Sequence, residues 1–152
     1  LTVNPYMGID SVEPFFAFEN KWVILLALTS NKGSDDFQKI EDKNHVKLYE
    51  QVISKSSKWA DDSKIMYVVG ATKANYLTEI RKKIPNHFLL IPGVGAQGGN
   101  ISDVIKNGLN KDFGLLINSS RSIIYAGKDE NFTQASRDVA LEMKRQMEIY
   151  LS

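Results

Sequence analysis

The sequence predicts an α/β fold built on a parallel sheet, and three observations carry that reading. Five short runs are apolar at consecutive positions rather than alternate ones, the mark of strands buried on both faces. Amphipathic helical patterns separate these runs. Each strand-plus-helix unit takes roughly 30 residues, the usual length of a βα repeat. Strand alternating with helix implies right-handed crossovers and parallel neighbours.

The elements follow in order. Residues 1–3 form the first run, and Asp10-Ser11-Val12-Glu13 reads as a capping box that opens a short helix after it. Residues 22–28 are the second run and the longest apolar stretch. Val46, Tyr49, Ile53, Ser56 and Ala60 then keep one helical face, with His45 at the helix start. The third run is 65–69, followed by a face of Ala74, Leu77, Ile80 and Ile84. The fourth, 88–91, leads through a glycine-rich loop into a helix carrying Ile101, Val104 and Ile105 that stops at Gly108. The fifth, 114–117, continues weakly to Ser119, and a long helix closes the chain with Phe132, Ala135, Val139, Met143, Met147 and Tyr150 at steps of three and four. The predicted order is β-α-β-α-β-α-β-α-β-α.

Two architectures use such units. An open doubly wound sheet of five strands is complete at 152 residues. An eight-stranded (β/α)8 barrel needs about 250, so the chain would then be its last five units. The chain opens inside Leu-Thr-Val-Asn with no methionine, and neither edge run carries a lysine or glutamate to blunt it, which favours a fragment. A hydrophobic fraction of 43%, a charged fraction of 24% and a net charge of +1 are ordinary for a soluble globular domain. No basic block points to nucleic acid or to an anionic membrane, and no run of 18 apolar residues points to a membrane span. Without cysteine there is no disulfide framework, thiolate nucleophile or zinc-thiolate site. Sequons at Asn100, Asn118 and Asn131 are read as chance, since a glycan on either of the first two would block the loop described next. A cytoplasmic protein fits best.

Ligands sit at the carboxyl ends of the strands in either architecture. The most informative end is Pro92-Gly93-Val94-Gly95-Ala96-Gln97-Gly98-Gly99, directly followed by the helix signal Asn100-Ile101-Ser102-Asp103. Glycines let a backbone approach a ligand closely, and a following helix N-terminus adds free N–H groups, so an anion site for a phosphate is expected. The next strand end, Asn118-Ser119-Ser120-Arg121-Ser122, supplies an arginine whose planar fork suits a phosphate. Glycine-rich loops after the last two strands are the recurring phosphate site of (β/α) barrels. A surface salt bridge is the plain alternative for Arg121, and a solvated side chain the alternative for Gln97. Gly93, Gly95 and Gly98 also spell a dinucleotide fingerprint, but counting 20 residues on gives Asn118 where that reading needs a carboxylate, which leaves at most an NADP variant. His45 and His87 read as structural and Lys32 as solvated, and no acid, base, nucleophile or metal cluster assembles at the strand ends.

Together Thr2-Val3-Asn4-Pro5-Tyr6-Met7-Gly8-Ile9-Asp10-Ser11, Leu28-Thr29-Ser30-Asn31, Val68-Val69-Gly70-Ala71-Thr72, the Pro92 loop and Ser119-Ser120-Arg121-Ser122-Ile123 resemble orotidine 5′-phosphate decarboxylase, in its longer bacterial form. The likeness runs in order along the whole chain. It implies a (β/α)8 barrel of which this chain is about strands four to eight, in one domain of 1–152. It implies that Ser30 hydrogen-bonds the pyrimidine, that Gln97 bridges phosphate and base, and that Arg121 with the N–H groups of Ser120 and Arg121 holds the phosphate. Gly95 and Gly98 shape that loop, and Pro92 and Asn4 line the pocket. The implied reaction turns orotidine 5′-phosphate into UMP and carbon dioxide without a cofactor, in a homodimer of full-length chains. The family's Asp-x-Lys-x-x-Asp motif is missing; Asp61-Asp62-Ser63-Lys64 is the nearest cluster and falls between a helix and a strand. The chain is therefore expected to bind without reacting. A stand-alone phosphate- or nucleotide-binding α/β module is the alternative.

Overall fold

A computed structural model describes residues 1–95 and 98–151. Strand β1 (Thr2–Val3) leads through three successive 3-10 turns, Pro5–Met7, Ile9–Ser11 and Glu13–Ala17, to β2 (Val23–Leu28). Next come α1 (Ser34–Phe37), α2 (Leu48–Ser56), β3 (Ile65–Val69), α3 (Ala74–Lys83), β4 (Leu89–Pro92), α4 (Ile101–Gly108), β5 (Leu115–Asn118), α5 (Arg121–Ile124) and α6 (Phe132–Glu148). All five expected strands are present within a residue or so at each end.

Every pairing is parallel and the spatial order is β1-β2-β3-β4-β5. This order decides between the two architectures. A doubly wound sheet reverses direction at a switch point and covers both faces with helices. Here each strand adds beside its predecessor, so right-handed crossovers put every helix on one side. The sheet is a five-strand sector of a (β/α)8 barrel, which also removes the setting that a dinucleotide fingerprint requires.

The core lies on the helical side. Leu25, Tyr67, Val69, Leu89 and Ile91 from alternate strand positions meet Ile53, Leu77, Ile80 and Val104 from α2, α3 and α4 in one buried cluster. Burying each such side chain is worth about 1.5–3 kcal/mol. The opposite strand positions form the concave face, where the cross-strand row Leu26–Val68–Leu90–Leu116 is in register. Leu116 at its end is 50% exposed. The apolar character of both faces, which identified the strands, is matched by burial on both faces at the central strand β3, where Met66 and Val68 are also buried, and on the concave side it thins toward Leu116.

Local expectations fail in three places. The capping box does not form: Asp10 lies inside a 3-10 turn, and Val12 precedes the next turn without a side-chain cap. Pro5 and Pro14 and the left-handed Gly8 break this stretch into turns too short for an α-helix. Helix α2 begins only at Leu48, so Val46 and Ala60 fall outside it, and His45 stands in a left-handed turn with Nδ1 3.1 Å from Glu41. Lys47 N–H donates to Glu50 (3.2 Å) and starts the helix. The four-residue helices α1 and α5 are too short to show a period. No helix among the described residues is long and apolar enough to cross a membrane.

Candidate functional site

Three strand ends converge at the carboxyl edge of the sheet. Pro92 lies one pleat beyond Leu90, on the concave face beside Asn118. Past it the chain takes left-handed conformations at Gly93, Gly95 and Gly98, as the glycine-rich loop predicts. Gly95 N–H donates to Gly99 O (3.2 Å), and Gly98 N–H to Gly95 O (2.8 Å), closing a tight turn. Gln97 lies outside the described residues.

The fifth strand end sits against this loop. A Cβ on Gly95 would stand 2.7 Å from Ser122 Oγ, and Ser119 Oγ donates to Val94 O at 3.3 Å. The backbone N–H groups of Ser120, Arg121 and Ser122 have no acceptor among the described residues. Arg121 is exposed and makes no ion pair among them. Ser120 Oγ donates to Asn118 Oδ1 at 3.3 Å. Unpaired N–H groups, an uncommitted guanidinium and a glycine turn thus share one place, which suits a phosphate. A cavity of about 510 Å³ opens beside it, with Gly95, Ser119 and Ser122 on one wall and Asp138, Glu142 and Met143 of α6 on the other. The two carboxylates make the α6 wall of the cavity unfavourable for an anion.

One expected contribution is taken up internally. Asn100 Oδ1 accepts from Ser102 N–H (2.8 Å) and Asp103 N–H (3.4 Å), so α4 is capped by its own first side chain. The free N–H groups lie at the Ser120–Ser122 turn instead.

The second strand end carries Ser30. A register shift between Leu26 and Leu28 re-aims the end of β2. Ser30 Oγ is buried and has no hydrogen-bond partner among the described residues. Gly70, at the end of β3, presses directly on it: a Cβ there would lie 2.0 Å from Ser30 Oγ and 2.6 Å from Ser30 N. An orphaned hydroxyl of this kind costs free energy unless a ligand completes it. Asn4, beyond β1, uses Oδ1 to accept from Tyr6 N–H (3.0 Å), which leaves its amide nitrogen as the free polar end.

A charged cluster beside this loop was not apparent from the sequence. Asp35 of α1 contacts Lys39 Nζ at 2.7 Å and Lys73 Nζ at 3.9 Å. The hydrogen bond from Lys39 holds the Asp35 carboxyl below its ordinary value. Burial, then the neighbouring Lys39 charge, pushes Lys73 down. Asp35 and Lys39 lie in and just after α1 and Lys73 just before α3, and only the fold joins them. Asp61-Asp62-Ser63-Lys64 directly precedes β3, at the opposite edge, where Lys64 Nζ donates to the carbonyls of Phe16 and Phe18 at 3.1 Å each. His87 is structural, as read: its ring lies 5.5 Å from that of Tyr67, and both nitrogens are buried without partners among the described residues.

Comparisons with known proteins agree with this geometry. The family model described as orotidine 5′-phosphate decarboxylase / HUMPS family matches residues 1–135. The chain is 58% identical over 147 residues to orotidine 5′-phosphate decarboxylase of Bacteroides fragilis, covering 97% of this chain and 54% of the relative. The Phocaeicola vulgatus enzyme of that name is 57% identical over 148 residues, with 97% and 54% covered. Among solved structures, OMP decarboxylase of Leishmania donovani superposes with a TM-score of 0.77 at 33% identity, covering 95% of this chain and 55% of that one. UMP synthase of the same organism gives 0.79 at 36%, covering 94% and 32%. The chain spans about half the length of the curated relatives it matches. With the family model matched over most of its length, this chain belongs to the orotidine 5′-phosphate decarboxylase / HUMPS family.

Proposed function

We propose that this chain supplies the phosphate- and pyrimidine-binding loops of an orotidine 5′-phosphate decarboxylase, as the carboxyl-terminal part of its barrel. The observation that carries the reading is the close approach of Gly95 to Ser122, which sets a glycine turn beside Arg121 and three N–H groups unpaired among the described residues. In this reading Arg121 and the N–H groups of Ser120 and Arg121 hold the phosphate. Ser30 completes its orphaned hydroxyl on the pyrimidine, Gln97 bridges phosphate and base, Gly95 and Gly98 give the turn its shape, and Pro92 and Asn4 line the pocket. The full protein acts as a cytoplasmic homodimer on orotidine 5′-phosphate, with UMP as product.

The ring-carboxylate carbon–carbon bond breaks, carbon dioxide leaves, and the electron pair stays on the ring carbon until a lysine delivers a proton there. That lysine belongs to an Asp-x-Lys-x-x-Asp motif absent from these 152 residues. What these residues contribute is binding energy at the remote phosphate, realised at the reacting carbon when the loop closes.

The test is reconstitution. The 152-residue chain alone should release no carbon dioxide from orotidine 5′-phosphate. Adding a separate polypeptide with the preceding strands and the lysine motif should restore turnover. Arg121→Ala should then lower kcat/KM by roughly ten- to a hundredfold, the worth of a charge-assisted hydrogen bond. Decarboxylation by the isolated chain, or indifference to Arg121→Ala, would overturn the proposal.

A further inference from the structure

Ser30 makes no hydrogen bond through its side chain among the described residues, so its position rests on the backbone around it. That backbone is bracketed from behind by one side chain. Gln38, half-buried after α1, accepts from Thr29 N–H through Oε1 at 2.8 Å and donates from Nε2 to Thr29 Oγ1 at 2.9 Å. A backbone N–H can only donate, which fixes the amide with its oxygen toward Thr29 N. Thr29 Oγ1 in turn donates to Asn31 Oδ1 at 2.6 Å, and Asn31 O accepts from Ser34 N–H at 3.1 Å. Both neighbours of Ser30 are therefore tied, one directly to Gln38 and the other through Thr29.

Gln38 itself is well anchored. Its N–H donates to Ser34 O and its carbonyl accepts from Tyr49 N–H, each at 3.0 Å, and Tyr49 is buried in the first turn of α2. From the far side Gly70 closes against Ser30. We propose that Gln38 is a positioning residue that holds Ser30 for the pyrimidine and so sets the preference for a nucleotide over a bare sugar phosphate. This rests on the reading of Ser30 given above. Gln38 lies behind the loop and needs no contact with the ligand.

The experiment compares two ligands on the 152-residue chain by calorimetry: UMP, which offers a base and a phosphate, and ribose 5-phosphate, which offers only the phosphate. Gln38→Leu should weaken UMP about tenfold, the cost of leaving one buried donor unpaired, and leave ribose 5-phosphate unchanged. Gln38→Glu keeps an acceptor for Thr29 N–H and should restore most of the UMP affinity. Thr29→Val, which keeps the backbone bond but drops the hydroxyl, should give a smaller loss that is again confined to UMP, and it serves if Gln38→Leu does not fold. Equal losses for both ligands would make Gln38 merely structural and overturn the proposal, as would unchanged UMP binding in Gln38→Leu and Thr29→Val. Arg121→Ala tests the underlying site separately, since it should weaken both ligands; if it weakens neither, the reading of the phosphate loop fails whatever Gln38 does.

Discussion

Gly70→Ala isolates the seam between the second and third strand ends. Gly70 has φ −65° and ψ 140°, values any residue adopts, so its replacement adds no backbone strain. What it adds is a methyl group 2.0 Å from Ser30 Oγ, 2.6 Å from Ser30 N and 2.9 Å from Ser30 Cα. Rotation about χ1 relieves the first contact but neither of the others. The two backbones must separate by roughly 0.5–1 Å to reach an ordinary contact distance. Overpacking of this kind costs about 1–3 kcal/mol. The displacement also moves Ser30, so UMP affinity should fall together with stability. Gly98→Ala is the matched comparison: φ is +82° with open space around the Cβ, so it carries only the left-handed penalty of about 1–2 kcal/mol. Guanidinium unfolding and UMP titration of both variants provide the readout. If Gly70→Ala stays within about 0.5 kcal/mol of the parent and binds UMP equally well, the close seam is refuted.

Two further perturbations test the fold beneath the site. Arg81 donates from Nε to Gly108 O (2.6 Å) and from its terminal nitrogens to Gly114 O (2.8 Å) and His87 O, joining the ends of α3 and α4 to the starts of β4 and β5; burial pushes its guanidinium down to about 10. Arg81→Met should cost about 3 kcal/mol or more in a denaturant melt, because the carbonyls of Gly108, His87 and Gly114 lose this donor together and Gly114 O keeps only the N–H of Leu89, and Arg81→Lys should recover only part. Burial likewise pushes His87 below its ordinary value. The unfolded chain then takes up the proton more readily, so this stability is fully present above the ordinary histidine pKa of about 6.5 and is lost as pH falls below it. Melting temperature should drop between pH 7.5 and 5.5, and His87→Phe should flatten that drop; equal slopes would contradict the assignment.

The strands were readable because a two-sided apolar run of four to seven residues has few other uses, and α3 and α4 because their faces repeat over two or more turns. The positive φ at Gly93, Gly95 and Gly98 was implied by composition alone. What stayed hidden depends on distance in sequence. Gly95 and Ser122 are brought together only by the β4–β5 pairing, and Asp35 with Lys73 only by β2–β3. Gln38 gave no local signal, since a lone glutamine beyond a four-residue helix follows no period. The Asn100 cap was visible as a helix start, but not its consequence, that a self-capped helix withholds its N–H groups from an anion. Arg81 looked like part of a basic helix end, and its role emerged from carbonyls supplied by three other segments.

Amide chemical shifts followed by NMR as UMP is added to the chain test the phosphate site most directly. Resonances of Ser120, Arg121 and Ser122 should move in step with those of Gly95 and Gly98, along one saturation curve that inorganic phosphate shifts by competition. Movement centred on Ser102 and Asp103, or on Asp138 and Glu142, with the Arg121 amide unaffected, would contradict it.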